Sequence, residues 1–394
     1  MSGTTVVTHL RLTVTGLLAL AVVGLAGCDA GPEPSAESGP DPADATAVTT
    51  SPPADGASTT GDEGRHTGAE EATEDEASGV ATVLFAGDLM LGRSIGDLIL
   101  AEGSDAPWEG IAEELAAADL RVGVLETAVG TAGEAEDKIF TFQAPPEAAD
   151  SVAAGGFDVV TLANNHSYDY GAEGLLETVE LVSAAGVEHV GAGVDDEAAH
   201  APVVVEAEGV ELAFLGYVSV PDDWTGYQNR AWAAGDQSPG VAWADPDLIA
   251  QDVARLAGEV DHVVVLLHAG DEGSTVVNEV QVAAAEAAFE AGASAVVGSH
   301  PHVLQGYRLA DETLVAWSLG NTVFDGFGDY PESLRTALLS VTFTNDAIER
   351  VEWLPATIDE RGLPWAVDPE GEVGASILAE LEQLPSPEVW PSGS

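Results

Sequence analysis

"AVVGSHPHVLQG", residues 295–306, decides the fold. An apolar run of β-type residues stops at Ser299 and opens into two histidines separated by one proline. Such a short apolar run, closed by polar side chains, reads as a buried strand whose C-terminal end carries chemistry. The chain has nine histidines among 394 residues, so two within three positions is more than composition supplies. Pro301 disfavours helical backbone at His300, which predicts an extended segment with His300 and His302 on one face.

The same texture recurs from Val80 onward. "VATVLFAGD", "DLRVGVLET", "FDVVTLANNH", "VDHVVVLLHAG" and "ASAVVGSH" read as strands. "APWEGIAEELAAA", "GAEGLLETVELVSAAG" and "NEVQVAAAEAAFEAG" read as helices. "APVVVEAEGVELAFLGY", "YRLADETLVAWSLGN" and "RTALLSVTFTNDAIERVEWLPA" read as hairpins, the first turning at Glu208 and Gly209. Alternation of this kind predicts an α/β fold, with two sheets packed together and helices outside.

Five of these segments end in a metal-capable or proton-transferring side chain. Asp88 follows "LFAG", Glu126 follows "GVL", and Asn165 with His166 follow "TLAN". His268 follows "VVVLL", and His300 and His302 close the opening stretch. Ligands of open α/β sheets bind beyond the carboxyl ends of the strands, so the five segments point to one site. Carboxylate, imidazole and amide oxygen suit zinc, manganese or iron, and the lack of thiolates argues against a structural zinc knot. Singly, an acid at a strand end is ordinarily a cap or turn residue and a histidine a hydrogen-bonded surface group. Recurrence over five strands is what caps and turns do not require. His9, His66, His189, His200 and His262 lack this context.

Composition restricts the partners. Acidic residues number 68 against 11 basic ones, and the formal charge is −57, with Lys138 the single lysine. That field repels nucleic acid and anionic headgroups and suits a strongly hydrated domain in salty or acidic surroundings. Residues 1–27 read as a lipoprotein signal peptide: "LTVTGLLALAVVGLAGC" is too short for a comfortable membrane span. Its "LAG" before Cys28, the only cysteine, resembles a lipobox, so the expectation is lipidation at Cys28 and a lipid-anchored protein on the outer face of the cell membrane. The alternative is a plain export signal. Residues 28–78, acidic and rich in Pro, Ala and Thr, hold no aromatic residue and read as a disordered tether reaching on the order of 40 Å. Residues 79–375 then form the globular domain, and 376–394 a C-terminal helix with a loose tail from Pro385.

In this order, "GDLMLGR", "LET", "ANNHSYDYG", "HAGDE", "GSHPHVLQG" and "SLGNTVFD" resemble the CapA family, bacterial proteins tied to poly-γ-glutamate capsule synthesis. That family is related to calcineurin-like metallophosphatases, and the resemblance runs from Thr82 to Pro355. It implies a four-layer α/β/β/α sandwich of metallophosphatase type around one or two divalent ions, Mn, Zn or Fe. One ion would take Asp88, Glu126 and His302, and the other Asn165, His268 and His300, with Glu126 bridging. His166 would be the proton donor, oriented by Asp169. Arg93 would hold a substrate anion, or else form a surface salt bridge.

The chain departs from the pattern at Met90, where the metallophosphatase Asp-x-His motif has its histidine, so a mononuclear centre is implied as an alternative. Ala269, Trp317 and Thr322 also depart, as expected changes to the pocket wall. The implied function is biosynthesis of poly-γ-glutamate capsule or envelope polymer by a metal-dependent hydrolase using metal-activated water. Its partners would be an anionic polymer or phosphorylated substrate and capsule synthase proteins. A non-catalytic accessory protein binding polymer or synthase, and a generic metal-dependent phosphoesterase, are the alternatives.

Overall fold

The strand Val80–Leu89 divides two cores through its period-two alternation. Ala81, Val83 and Phe85 pack against Leu212, Phe214 and Val264, whereas Leu84 and Ala86 share a core with Ile95, Ile99, Val152 and Leu175 of flanking helices. These facts come from a computed structural model that describes residues 79–222, 226–310 and 312–390. The expected signal peptide, Cys28 and the tether lie outside the described residues.

Val80–Leu89 sits inside an eight-stranded sheet. Leu120–Leu125, Val159–Thr161 and Glu188–Val190 follow it in parallel on one side. Arg335–Thr344, Ile348–Ile358 and Pro364–Ala366 continue antiparallel on the other, and Asn321–Val323 pairs in parallel with its C-terminal end. The second sheet has six strands, with parallel Val210–Ser219, His262–Ala269, Ala295–Ser299 and Thr313–Ala316 at its centre. Its outer face, with Ala213, Leu215 and Val265, packs on Ile249 and Val253 of the helix Pro246–Leu256 and on Ala285 and Phe289 of Glu279–Ala291. The layers therefore run α/β/β/α, the expected architecture.

Local chemistry explains the boundaries. Asn278 and Gln281 form a capping box at the start of Glu279–Ala291, and Gly292 ends it at φ 107°. Glu208 and Gly209, at φ 48° and 82°, make the tight hairpin turn. The expected helix around Trp108 differs: Ala106–Ile111 is a 3-10 turn, followed by a short helix Ala112–Ala116. Trp108 Nε1 donates to Ser151 O at 2.7 Å, and a Cβ on Gly110 would stand 2.2 Å from Pro364 O, so packing tightens this turn.

The C-terminus also departs from expectation. The helix is Glu372–Leu381, starting before residue 376, and Ile377 and Leu381 enter the core between the sheets. Residues 385–390 are docked instead of loose. Trp317 Nε1 donates to Ser386 Oγ at 2.9 Å, Trp390 lies 5.2 Å from the Phe289 ring, and Val389 is buried. Trp317 and Ala269 thus belong to this outer core and not to a pocket wall.

Two glycines let strands close on the site. A Cβ at Gly87 would meet Gly320 O at 2.0 Å, and one at Gly298 would meet Trp317 O at 2.0 Å. The pairing register shifts between Phe85 and Asp88, a bulge that re-aims the Asp88 side chain.

Candidate metal centre

Asp88, Glu126 and Asn165 stand at strand ends of the first sheet, and His268, His300 and His302 at strand ends of the second. All six are buried, and Asp88, Glu126 and His268 have no exposed surface. Glu126 is the hub. Its Oε1 lies 3.7 Å from Nε2 of both His268 and His302 and 3.9 Å from Nε2 of His166. Asp88 Oδ2 lies 3.3 Å from His302 Nδ1, and Asp88 Oδ1 lies 3.7 Å from His268 Nδ1.

Neighbouring side chains fix which nitrogen faces the centre. His302 Nδ1 is 2.8 Å from Asn321 Oδ1, so the amide oxygen accepts there and leaves Nε2 turned to Glu126. His268 Nδ1 meets Ser299 Oγ at 2.8 Å, while its Nε2 stands 2.7 Å from Asn165 Oδ1. With Ser299 Oγ accepting from Nδ1–H, the lone pair of the ring is on Nε2, beside the Asn165 amide oxygen.

The expected extended segment at His300–Pro301–His302 is not what forms. His300 has φ 97° and His302 φ 57°, both left-handed. The His300 N–H turns to Asp88 Oδ2 at 3.3 Å, and the His302 ring is held between Asn321, Phe324 and Phe327, so tertiary contacts override the local preference. The two rings still face one centre, 5.9 Å apart.

The donor set fits a divalent cation. Asp88 Oδ1, both oxygens of Glu126 and His300 Nδ1 are buried without any hydrogen-bond partner. Ligand atoms of Glu126, His300 and His302 all lie within 4.8 Å of one another. Orphaned buried acceptors are rare in native proteins, and a bound cation is the partner that carboxylate and imidazole acceptors would take. Asp88 and His268 border the trio of Glu126, His300 and His302, at 3.3 Å from His302 and 3.7 Å from Glu126 respectively. Met90, in place of the motif histidine, packs with Phe142 and Phe324, and its sulfur accepts from Gly92 N at 3.2 Å.

Electrostatics match this arrangement. Burial, reinforced by Asp88, raises Glu126 well above the usual carboxylate range. Burial, then the neighbouring imidazoles, lowers His268 and His300 well below 6.5 and keeps them neutral, as ligands must be. Burial also pulls His302 down, but Glu126 and Asp88 outweigh it and hold that ring up at about 10.

His166 stands beside the cluster. Its Nδ1 meets Asp169 Oδ2 at 2.6 Å, and Phe142 stacks on it at 4.0 Å, which leaves Nε2 free. Burial lowers its titration, with Asp169 opposing. A cleft of about 290 Å³ opens over Asn165, His166 and His300, walled by Lys138, Trp232 and Asn229. Arg93, expected to hold a substrate anion or form a surface salt bridge, pairs with Asp325 and lies 4.6 Å over the Phe142 ring.

The family model described as "Bacterial capsule synthesis protein PGA_cap" matches residues 82–326. The chain belongs to that family. Capsule biosynthesis protein CapA of Bacillus anthracis is 30% identical over 287 residues, covering 71% of this chain and 68% of the relative. PGA biosynthesis protein CapA of Bacillus subtilis (strain 168) is 29% identical over 305 residues, covering 77% of this chain and 78% of the relative. A solved structure of a hypothetical protein from Thermus thermophilus aligns at TM-score 0.44 and 18% identity, over 73% of this chain and 100% of that one. The PGA_cap match spans Asp88, Glu126, Asn165, His268, His300 and His302, and with them His166 and Asp169.

Four further residues shape this PGA_cap site. Asn321 holds His302, Ser299 holds His268, and Lys138 joins Asp169. Asn164 donates to Leu125 O at 2.8 Å and accepts from His166 N at 2.9 Å, pinning the loop to the strand that carries Glu126. Asn321 stands in the quoted "SLGNTVFD" run, and Lys138 is marked only by being the sole lysine.

Proposed function

We propose that this PGA_cap protein is a metal-dependent hydrolase of the cell envelope. Its substrate would be an anionic capsule polymer or a phosphorylated intermediate of polymer assembly. What supports the reading most is the convergence of orphaned acceptors from Asp88, Glu126 and His300 beneath a cleft that His166 borders. Asp88, Glu126, Asn165, His268, His300 and His302 would hold a divalent ion, which would supply Lewis acidity. The chain's own residues do the rest. Asp169 holds His166 by Nδ1, Phe142 fixes the ring plane, and Nε2 is left to pass a proton to the leaving group. The charge of −57 repels an anionic substrate at long range, so binding rests on contacts within the cleft. Lipidation at Cys28 would hold the domain at the membrane beside synthase proteins, and Cys28→Ser would release it into the medium.

The test uses the full-length chain stripped with chelator, reloaded with Mn²⁺, Zn²⁺ or Fe²⁺, and assayed on phosphomonoester, phosphodiester and γ-glutamyl oligomer substrates. Metal-dependent turnover of one class supports the proposal. Equal turnover with and without metal refutes it. Met90 in place of an imidazole favours a second reading, an accessory protein that binds polymer without cleaving it. Polymer binding unchanged by chelation, with no turnover of any substrate, would establish that reading instead.

A further inference from the structure

We infer that Lys138 is a positioning residue for the metal centre: it locks the turn Asn165–Asp169 and thereby fixes both the ligand Asn165 and the proton donor His166. The inference rests on the metal-site proposal above. The only lysine of the chain is placed here, with its side chain 6% exposed. An ammonium so buried is costly unless every donor is matched. Its nitrogen pairs with Asp169 Oδ1, donates to the carbonyl oxygen of Asn165, and lies 4.6 Å over the face of Trp232.

Lys138 therefore grips the first and last residues of a five-residue turn. The other oxygen of Asp169 takes His166 Nδ1 at 2.6 Å and Phe142 N at 2.7 Å, so the grip passes on to the imidazole and its stacking partner. Glu136 N donates to Asp169 O at 2.8 Å, which staples the same loop a second time. Carboxylate, carbonyl and ring face approach from three directions. A compact ammonium meets all three, while a planar guanidinium does not. Without Lys138 the buried Asp169 carboxylate loses its counter-charge and the Asn165 carbonyl its donor, so the amide oxygen is no longer held against His268 Nε2.

The experiment measures Co²⁺ binding and the visible absorption of bound Co²⁺ in full-length wild type, Lys138→Met and Lys138→Arg. Partners of metal ligands typically carry about 10- to 100-fold of affinity, and Lys138→Met should lose that much and shift the Co²⁺ band. Lys138→Arg, keeping the charge but not the geometry, should recover only part. Wild-type affinity and band shape in a folded Lys138→Met protein would overturn the inference. Wild type that binds no Co²⁺ would instead remove the metal centre on which it rests. A measurement on unaltered protein covers the case of a variant that does not fold. Acetylation of Lys138 by an amine-selective reagent, followed by mass spectrometry, should slow at least ten-fold when Co²⁺ is bound, and equal rates would refute the coupling.

Discussion

Stripping the metal should cost this protein a large, measurable part of its stability. Four buried polar atoms, Asp88 Oδ1, Glu126 Oε1 and Oε2, and His300 Nδ1, have no partner in the fold itself. Each such group costs about 1–3 kcal/mol, so the cluster carries a deficit of about 4–12 kcal/mol that a bound cation removes. Solvent entering a stripped site recovers part of it, which makes the lower end the expectation. Mass action gives a comparable figure, since ligand at a thousand-fold excess over Kd contributes about 4 kcal/mol. For a domain of this size about 2 °C follows per kcal/mol, so Tm should rise by about 8 °C on loading. The assay is a thermal scan of chelator-stripped protein against protein reloaded with Mn²⁺ or Zn²⁺, with metal content measured on the same samples. A shift below about 2 °C at one bound ion per chain would refute the view that these atoms form a cation site. The Asp88→Asn, Glu126→Gln double variant should abolish most of the shift while the stripped protein stays folded.

Three further outcomes are expected. His166→Ala should lower turnover by about 10²- to 10⁴-fold with metal content unchanged, which elemental analysis beside steady-state kinetics would check. Asn321→Ala frees the His302 ring from its 2.8 Å anchor and should weaken metal binding by about 10- to 100-fold, read by competition with a chelating dye. Because the chain carries a formal charge of −57, its Tm should climb steadily between low and molar NaCl as the Debye length falls from about 30 Å to about 3 Å. A flat salt response would mean that surface self-repulsion does not limit stability.

The strand framework and the polar side chains that close its strands are legible in the sequence because both depend on short-range pattern. A period of two along Val80–Leu89 fixes which side chains face which core, and the last residue of each run then marks the sheet edge. The backbone at His300 and His302 is not legible. Pro301 pushes toward extended structure, but the Asp88 carboxylate, 212 residues away, captures the His300 N–H and draws the chain into the left-handed region. Lys138 is hidden for a similar reason. It lies in a loop without periodicity, and its partners stand 27 and 31 residues further on. The C-terminal tail reads as loose from its prolines and small polar residues, since composition does not reveal that Trp390 finds the Phe289 ring.

The two sheets divide the centre unevenly: the first contributes two carboxylates and an amide, the second three imidazoles. Without metal, the group placed to balance the carboxylates is the His302 imidazole, 3.3 Å from Asp88 and 3.7 Å from Glu126 and held up at about 10. A histidine raised above its unfolded value of about 6.5 stabilises the fold fully below that pH, and the contribution is lost as pH climbs through the folded value. In metal-free protein the proton on His302 thus offsets part of the carboxylate charge, while the four orphaned atoms still lack hydrogen-bond partners. Loading must displace that proton, because only a neutral imidazole ligates. Metal affinity should therefore rise with pH, and loading should release protons in weakly buffered indicator solution, with His302 and the Glu126 carboxyl, itself raised by burial, as the sources. His302→Gln should bind more weakly and release no proton from this position. Proton release from His302→Gln equal to wild type would show that the displaced proton comes from another ligand.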